Sequence, residues 1–227
     1  MKRKLTNGHL AIILIVAILV VDQIIKIWVK TNMALYSTIE ITSWFKIHFI
    51  ENNGMAYGMT FVPKVFLSVF RIFAVAVLCY FIRLQVKQKA RTLYIVLLSM
   101  VAAGAAGNIF DSMFYGLCFS SSSPDYVSYW VPFGSGYAPF LMGKVVDMFY
   151  FPLFTTVLPE WFPINGGQPY TFFSPVFNFA DASISVGVIM LLLFCRKELS
   201  DISLSQKKED PTQPPVEEES SQENSQP

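Results

Sequence analysis

Arg83-Leu84-Gln85-Val86-Lys87-Gln88-Lys89-Ala90-Arg91 is a short turn holding four basic residues between two apolar runs, residues 65–84 and 93–110. Each run is close to the roughly 20 residues needed to cross the hydrocarbon core of a bilayer. A loop so rich in Lys and Arg stays on the cytoplasmic side. Upstream, Met1-Lys2-Arg3-Lys4 precedes an apolar run from Leu10 to Val21. No small-x-small cleavage site follows it, and the helical pattern continues through Ile24, Ile25, Ile27 and Trp28, so residues 9–30 read as a spanning helix and not a signal peptide. Downstream, the apolar segment 176–194 ends in Arg196-Lys197. The three basic clusters agree on one topology, four transmembrane helices (about 9–30, 65–84, 92–112 and 176–195) with both termini inside.

Composition points the same way. The chain has 227 residues, 53% of them hydrophobic, and a mean hydropathy of +0.46, more apolar surface than one soluble core hides. The formal charge of +1 averages a basic start, a basic turn and an acidic tail, with nothing suited to nucleic acid. Cys79, Cys118 and Cys195 show no CxxC and no His spacing, against a redox pair or a zinc site. No metal is expected. The fold class is therefore membrane all-α with a small β element, one domain over residues 1–200. The tail, 201–227, has almost no apolar content and is expected to be disordered.

The two outward connections, residues 31–64 and 113–175, are long. Ser37-Thr38-Ile39-Glu40-Ile41-Thr42 and Trp44-Phe45-Lys46-Ile47-His48-Phe49-Ile50 are β-branched and aromatic runs of strand length, predicting a small outer-face sheet. The second connection is rich in Tyr, Trp, Phe, Pro and Gly, a composition suited to the headgroup level. Short helices are expected there around 144–154 and near 155–161.

Depth along the helices gathers the polar residues. Asp22, Gln23 and Lys26 fall in the outer half of the first helix and Arg71 about two turns into the second. Asn108 and Asp111 end the third, Asn178 and Asp181 begin the fourth, and Asp147 lies in the outer connection. All share the outer third of the bilayer. Asp22 and Lys26, four apart, share a helix face and neutralise each other, a pair suited to fixing helix packing. Asn108 and Asn178 fit an interhelical hydrogen bond and a functional contact equally well. Gly104-Ala105-Ala106-Gly107 suits a small-residue packing face better than a phosphate loop. His9 and His48 read as surface or interface residues. Asp147 and Asp181, brought together where hydration is poor, cannot both ionise; sharing a proton, one acts as acid and the other as base. Asp181 alone also suits packing or a proton path.

Five blocks run in order: Asp22-Gln23-x-x-Lys26; Asn52-x-Gly54-x-Ala56-Tyr57-Gly58; Gly104-x-x-Gly107-Asn108-x-x-Asp111; Val145-Val146-Asp147; and Phe177-Asn178-x-Ala180-Asp181-x-x-Ile184-x-x-Gly187. Over about residues 10–195 the chain resembles the lipoprotein signal peptidases, or signal peptidase II, four-helix aspartyl proteases of the bacterial inner membrane. The resemblance implies Asp147 and Asp181 as the catalytic pair, with Asp111 supporting the site. It implies Asn52, Gly54, Asn108 and Asn178 as pocket residues, Asp22 and Lys26 as needed for stability or function, and Gly104 and Ala180 as members of the supporting blocks. The implied reaction is cleavage of a diacylglyceryl-modified prolipoprotein before its lipidated cysteine, at the periplasmic face, with globomycin-type inhibitors binding the same pocket and no cofactor.

The chain departs from that pattern in three places. Ser112 stands where the family usually has Arg, and Arg71, at similar depth, is expected to supply the missing guanidinium. Ala103-Gly104 replaces the usual Gly-Gly. The stretches 112–144 and 148–176 are longer than is typical. The alternative reading is a small proton-coupled transporter or channel using Asp22, Lys26, Asp111 and Asp181 as a relay. That reading requires polar residues through the full thickness, whereas the inner halves of all four helices are almost purely apolar.

Overall fold

Four helices and six strands make up the computed structural model, which describes residues 5–53, 63–163 and 166–200. Gly54 and the rest of its block, Ala56, Tyr57 and Gly58, lie outside the described residues, as does the 201–227 tail. Three helices, α1 (Asn7–Asn32), α2 (Lys64–Lys87) and α3 (Thr92–Cys118), are long and apolar enough to cross a membrane. At about 1.5 Å per residue each is about 36–40 Å long. The last, α4 (Phe179–Phe194), has 16 residues.

Their side chains divide as a lipid solvent requires. Phe66, Phe70, Phe73, Val77 and Tyr80 of α2 and Ile12, Val16, Val20 and Ile24 of α1 point outward. The central helix is α3, which packs against the other three. Close approach to α4 rests on small residues: a Cβ at Gly104 would land on the Ala180 carbonyl and 2.7 Å from Ile184 Cγ1. Gly104 and Gly107 thus form a helix-packing face. Asn7 Nδ2 donates to the Ala90 carbonyl at 3.4 Å, and Arg91 Nη1 to the Phe194 carbonyl at 3.1 Å. These contacts gather the start of α1, the α2–α3 turn and the end of α4 at one end of the bundle.

The opposite end carries an antiparallel four-stranded sheet ordered β1 (Thr38–Glu40), β2 (Lys46–Asn52), β3 (Val145–Tyr150) and β6 (Val176–Phe177). A separate two-stranded ribbon pairs β4 (Phe154–Val157) with β5 (Pro169–Phe172). The helix expected around 144–154 is therefore mostly strand β3, and the one expected near 155–161 is the end of β4 followed by a turn. The open edge of β2 pairs with Val145-Val146-Asp147-Met148-Phe149-Tyr150, with Ile50 opposite Asp147, Asn52 opposite Val145 and a shift of register between Ile47 and Ile50. A β-branched and aromatic run fits that pleat better than a helix. Residues 176–177, expected to open the last helix, instead pair with β3, and α3 runs six residues past the expected end at 112, to Cys118.

The long excursion after α3 returns by folding back along it. Val131, Tyr137 and Ala138 donate their N–H groups to the carbonyls of Cys118, Phe119 and Gly116, and Gly143 N–H reaches the Ser112 carbonyl at 2.9 Å. Gly143 permits this approach: a Cβ there would collide with the Asp111 carbonyl and sit 2.8 Å from Gly116 N. The next residues enter β3, so the fold-back delivers Asp147 to the end of the bundle. Apolar clusters flank that level, one around Tyr94, Leu98 and Leu191 at the termini end and one around Phe49, Tyr115, Phe119 and Met148 at the sheet end.

Candidate active site

Asp147 is buried in mid-strand, and its two carboxylate oxygens face two amides. Asn178 Nδ2 donates to Oδ1 at 2.6 Å, and Asn52 Nδ2 donates to Oδ2. Asp181 sits in the first turn of α4 within a capping box. Asn178 Oδ1 accepts the Asp181 N–H at 2.9 Å, and Asp181 Oδ2 accepts the Asn178 N–H at 3.4 Å. Such reciprocal bonds satisfy helix-end donors that would otherwise be orphaned. Asp181 Oδ1 takes a further bond from Asn108 Nδ2 at 2.7 Å. Asn178 thus bridges the two acids, its side chain on the Asp147 carboxyl and its backbone N–H on that of Asp181, and its second Nδ2 proton goes to Asn108 Oδ1 at 3.1 Å. All its donors and its acceptor are used.

Beneath this layer Lys26 forms a buried tripod. Its Nζ lies 2.9 Å from Asp22 Oδ2, 2.8 Å from Asp111 Oδ2 and 2.8 Å from Asn108 Oδ1. An ammonium has three protons, and each has a partner. Lys26, Asp22 and Asp111 are each at most 1% exposed, so none can be removed without stranding a charge. Asp22 Oδ1 also accepts the Ala180 N–H at 2.9 Å, tying α1 to the start of α4, where a negative charge suits the helix dipole. Asp111 takes Gln23 Nε2 at 2.8 Å on Oδ1 and the Val146 N–H at 3.4 Å on Oδ2. It therefore props β3 through the Val146 backbone.

The structure brings Asp22, Lys26, Asn52, Asn108, Asp111, Asp147, Asn178, Ala180 and Asp181 into one connected network, with Gly104 packed against Ala180. Arg71 on α2 is near enough to Asp181 for their charges to interact. Ser112, where the family pattern has Arg, spends its hydroxyl on the Asn108 carbonyl at 3.1 Å.

Two features have no counterpart in the sequence reading. Tyr115 OH donates to Gln23 Oε1 at 3.0 Å, extending the network towards the sheet end. A second buried charge cluster stands beside it: Lys30 Nζ, fully buried, meets Glu51 Oε1 at 2.5 Å and Ser122 Oγ at 3.0 Å, with the Tyr137 ring 5.0 Å away. Lys144, three residues before Asp147, turns to Glu51 Oε2 at 3.5 Å. The cluster braces β2 next to Asn52. Its one sequence signal is Lys30, a turn after Lys26 on the same face of α1.

Electrostatics bear on Asp147. Burial pushes the Asp147 carboxyl up to about 8, the nearby Asp181 charge pushes the same way, and the Asn178 hydrogen bond opposes both. Asp147 therefore holds a proton at neutral pH.

The profile of the Signal peptidase (SPase) II family matches residues 14–196. The lipoprotein signal peptidase of Porphyromonas gingivalis is 47% identical over 206 residues, 90% of each chain. That of Amoebophilus asiaticus is 34% identical over 181 residues, 77% of this chain and 72% of its own. Two solved bacterial membrane enzymes share the fold at TM-scores of 0.52 and 0.53, with 24% and 22% identity, over 81% and 91% of this chain and 90% and 93% of theirs. A profile match across most of the chain, together with a relative 47% identical over 90% of it, makes this chain a member of the signal peptidase II family.

Proposed function

We propose that Asp147 and Asp181 are the proton-sharing pair of an aspartyl endopeptidase that removes the signal peptide from diacylglyceryl-modified prolipoproteins, cleaving before the lipidated cysteine. The observation that carries this reading is Asn178 bridging the two acids, its side-chain amide on the Asp147 carboxyl and its backbone N–H on the Asp181 carboxylate. The Asp181 carboxylate takes a proton from water, and the resulting hydroxide attacks the scissile carbonyl carbon. Asp147 gives its proton to the carbonyl oxygen, so no full oxyanion accumulates. As the tetrahedral adduct collapses, that proton returns to Asp147. The C–N bond breaks, and the proton held by Asp181 goes to the leaving nitrogen, which restores both acids.

The four helices would all span, with both termini cytoplasmic and the site towards the periplasmic face of the inner membrane; the basic ends of the bundle support this orientation. An open apolar groove of about 290 Å³, lined by Leu19, Ile72, Val75, Ile109, Phe110 and Phe114, lies along α3 at the height of Asn108 and suits an acyl chain. Globomycin-type inhibitors would occupy the same pocket. The polar network stops short of the apolar cluster at the termini end, and nothing among the described residues or in the relatives favours a transport path. Purified protein in vesicles should cleave a diacylglyceryl-modified prolipoprotein and leave a product beginning with the lipidated cysteine. Equal cleavage of the unmodified precursor would contradict the assignment.

The pH profile follows from Asp147. Its carboxyl is raised to about 8, so it is protonated below that pH and loses its proton as pH rises through it. The acid then has no proton to give, and kcat/KM is expected to fall above about pH 8. A flat profile from neutral into that range would count against Asp147 as the acid. Stability moves in the same sense: the native state holds a proton that an unfolded Asp releases near 3.8, so stability declines as pH climbs from there towards about 8.

Arg71 would supply the guanidinium that Ser112 cannot. Arg71→Ala is expected to lower kcat/KM by on the order of 10-fold or more, with partial recovery in Arg71→Lys. Full activity and stability in Arg71→Ala, under conditions where Asp147→Asn is inactive, would remove it from the site.

A further inference from the structure

The β4–β5 ribbon is unlike the rest of the sheet end. Every residue of β4 is exposed, as are Pro169, Tyr170 and Phe172 of β5. Between Phe151 and Phe177, Glu160 is the one formally charged residue. A two-stranded ribbon is marginal in water on its own, and so much exposed apolar surface marks a contact site.

Its two faces differ. Pairing sets Phe154 opposite Phe172 and Thr156 opposite Tyr170 on one face, and Thr155 opposite Thr171 on the other. The Phe154 and Phe172 rings stack at 5.1 Å and 7°, while the Thr155 and Thr171 hydroxyls bond at 3.0 Å. One face is aromatic, and the other carries the threonine pair with Val157 opposite Pro169. At the tip Trp161 is 80% exposed.

The root of the ribbon fixes its level, on the reading that α4 spans the bilayer. From Arg196-Lys197 at the cytoplasmic boundary back to Phe179, α4 rises about 25 Å at 1.5 Å per residue. The hydrocarbon core is about 30 Å thick, so residues 173–177 lie at its outer boundary. Phe173 and Phe177 meet edge-on there, and Phe177 stacks on Phe151, which stacks on Phe45. This row of rings joins the ribbon to the sheet beside the Asp181 turn.

We propose that the ribbon is a membrane-contacting blade: its aromatic face and Trp161 lie in the outer-leaflet interface at the mouth of the site, with a phospholipid surface as the partner. Both strands leave an open backbone edge, which hydrocarbon would leave unsatisfied. The blade therefore lies flat and shallow and does not plunge inward.

The test compares wild-type protein and Trp161→Phe, both full length, in phosphatidylcholine and phosphatidylglycerol vesicles. The substitution is conservative and lies at an exposed tip. The emission it removes is the Trp161 component. That component should be shielded from acrylamide and mostly lost when the phosphatidylcholine is brominated high on its acyl chains, with less loss when bromine lies near the chain ends. A component quenched by acrylamide and indifferent to bromolipid overturns the proposal and leaves a protein partner or open solvent. Prolipoprotein cleavage measured in the same vesicles keeps the readings apart: failure to cleave bears on the peptidase assignment, and the quenching decides the blade either way.

Discussion

Lys26→Met is expected to lower stability by about 3–5 kcal/mol, the cost of stranding buried charge by deleting one partner. Lys26 Nζ serves Asp22, Asp111 and Asn108 at 2.8–2.9 Å with no solvent access. Without it, two carboxylates face each other in an apolar bundle, and both also hold other elements: Asp22 ties down α4 through Ala180, and Asp111 props β3 through Val146. Activity should fall with stability, because both acids of the dyad hang on those elements. A triple change, Lys26→Met with Asp22→Asn and Asp111→Asn, removes all three charges and should recover much of the lost stability, as replacement of whole buried ion clusters does. Thermal unfolding in vesicles reads both outcomes. A Lys26→Met protein as stable as wild type would mean that the tripod is not what holds this layer.

Asp147→Asn and Asp181→Asn should each cut cleavage by on the order of 10²–10⁴-fold or more, the range that positioned general acids and bases contribute. Each has a structural cost. Asp147 already holds a proton at neutral pH, so Asn there changes little charge, but its NH2 faces one of the two amide donors, Asn52 or Asn178, at a cost of about 1–3 kcal/mol. Asp181 caps α4 and its Oδ2 accepts the Asn178 N–H, so Asn at that place weakens the capping box by about 0.5–2 kcal/mol. Activity lost in a protein that still folds is thus the signature expected of each variant.

Apolar runs were readable because hydrophobicity accumulates locally along the chain, and so were the level shared by the acids and the small-residue face at Gly104. The sheet was only half readable. Strands at Thr38–Glu40 and Lys46–Asn52 carry their own β-branched pattern. The stretch Val145–Tyr150, by contrast, is buried along most of its length, shows no alternation, and at six residues is too short for periodicity to tell strand from helix. Its identity comes from a distant partner, the edge of β2. The β4–β5 ribbon had a local sign, the Gly166-Gly167 pair before a β-rich run, which suits a hairpin connection. Asn178-x-x-Asp181 likewise matches the spacing of a capping box, a role that the resemblance to a catalytic block obscured. The Lys30–Glu51 pair had almost no sign, because residues 21 apart meet only once α1 and β2 are placed.

The most direct test of the dyad is single-turnover cleavage of a diacylglyceryl-modified prolipoprotein by wild type, Asp147→Asn and Asp181→Asn, with the released signal peptide identified by mass. Each variant is first shown to be folded in the same vesicles. A proton-sharing pair predicts that both folded variants bind the substrate and release essentially no peptide. Wild-type cleavage by either one would contradict it.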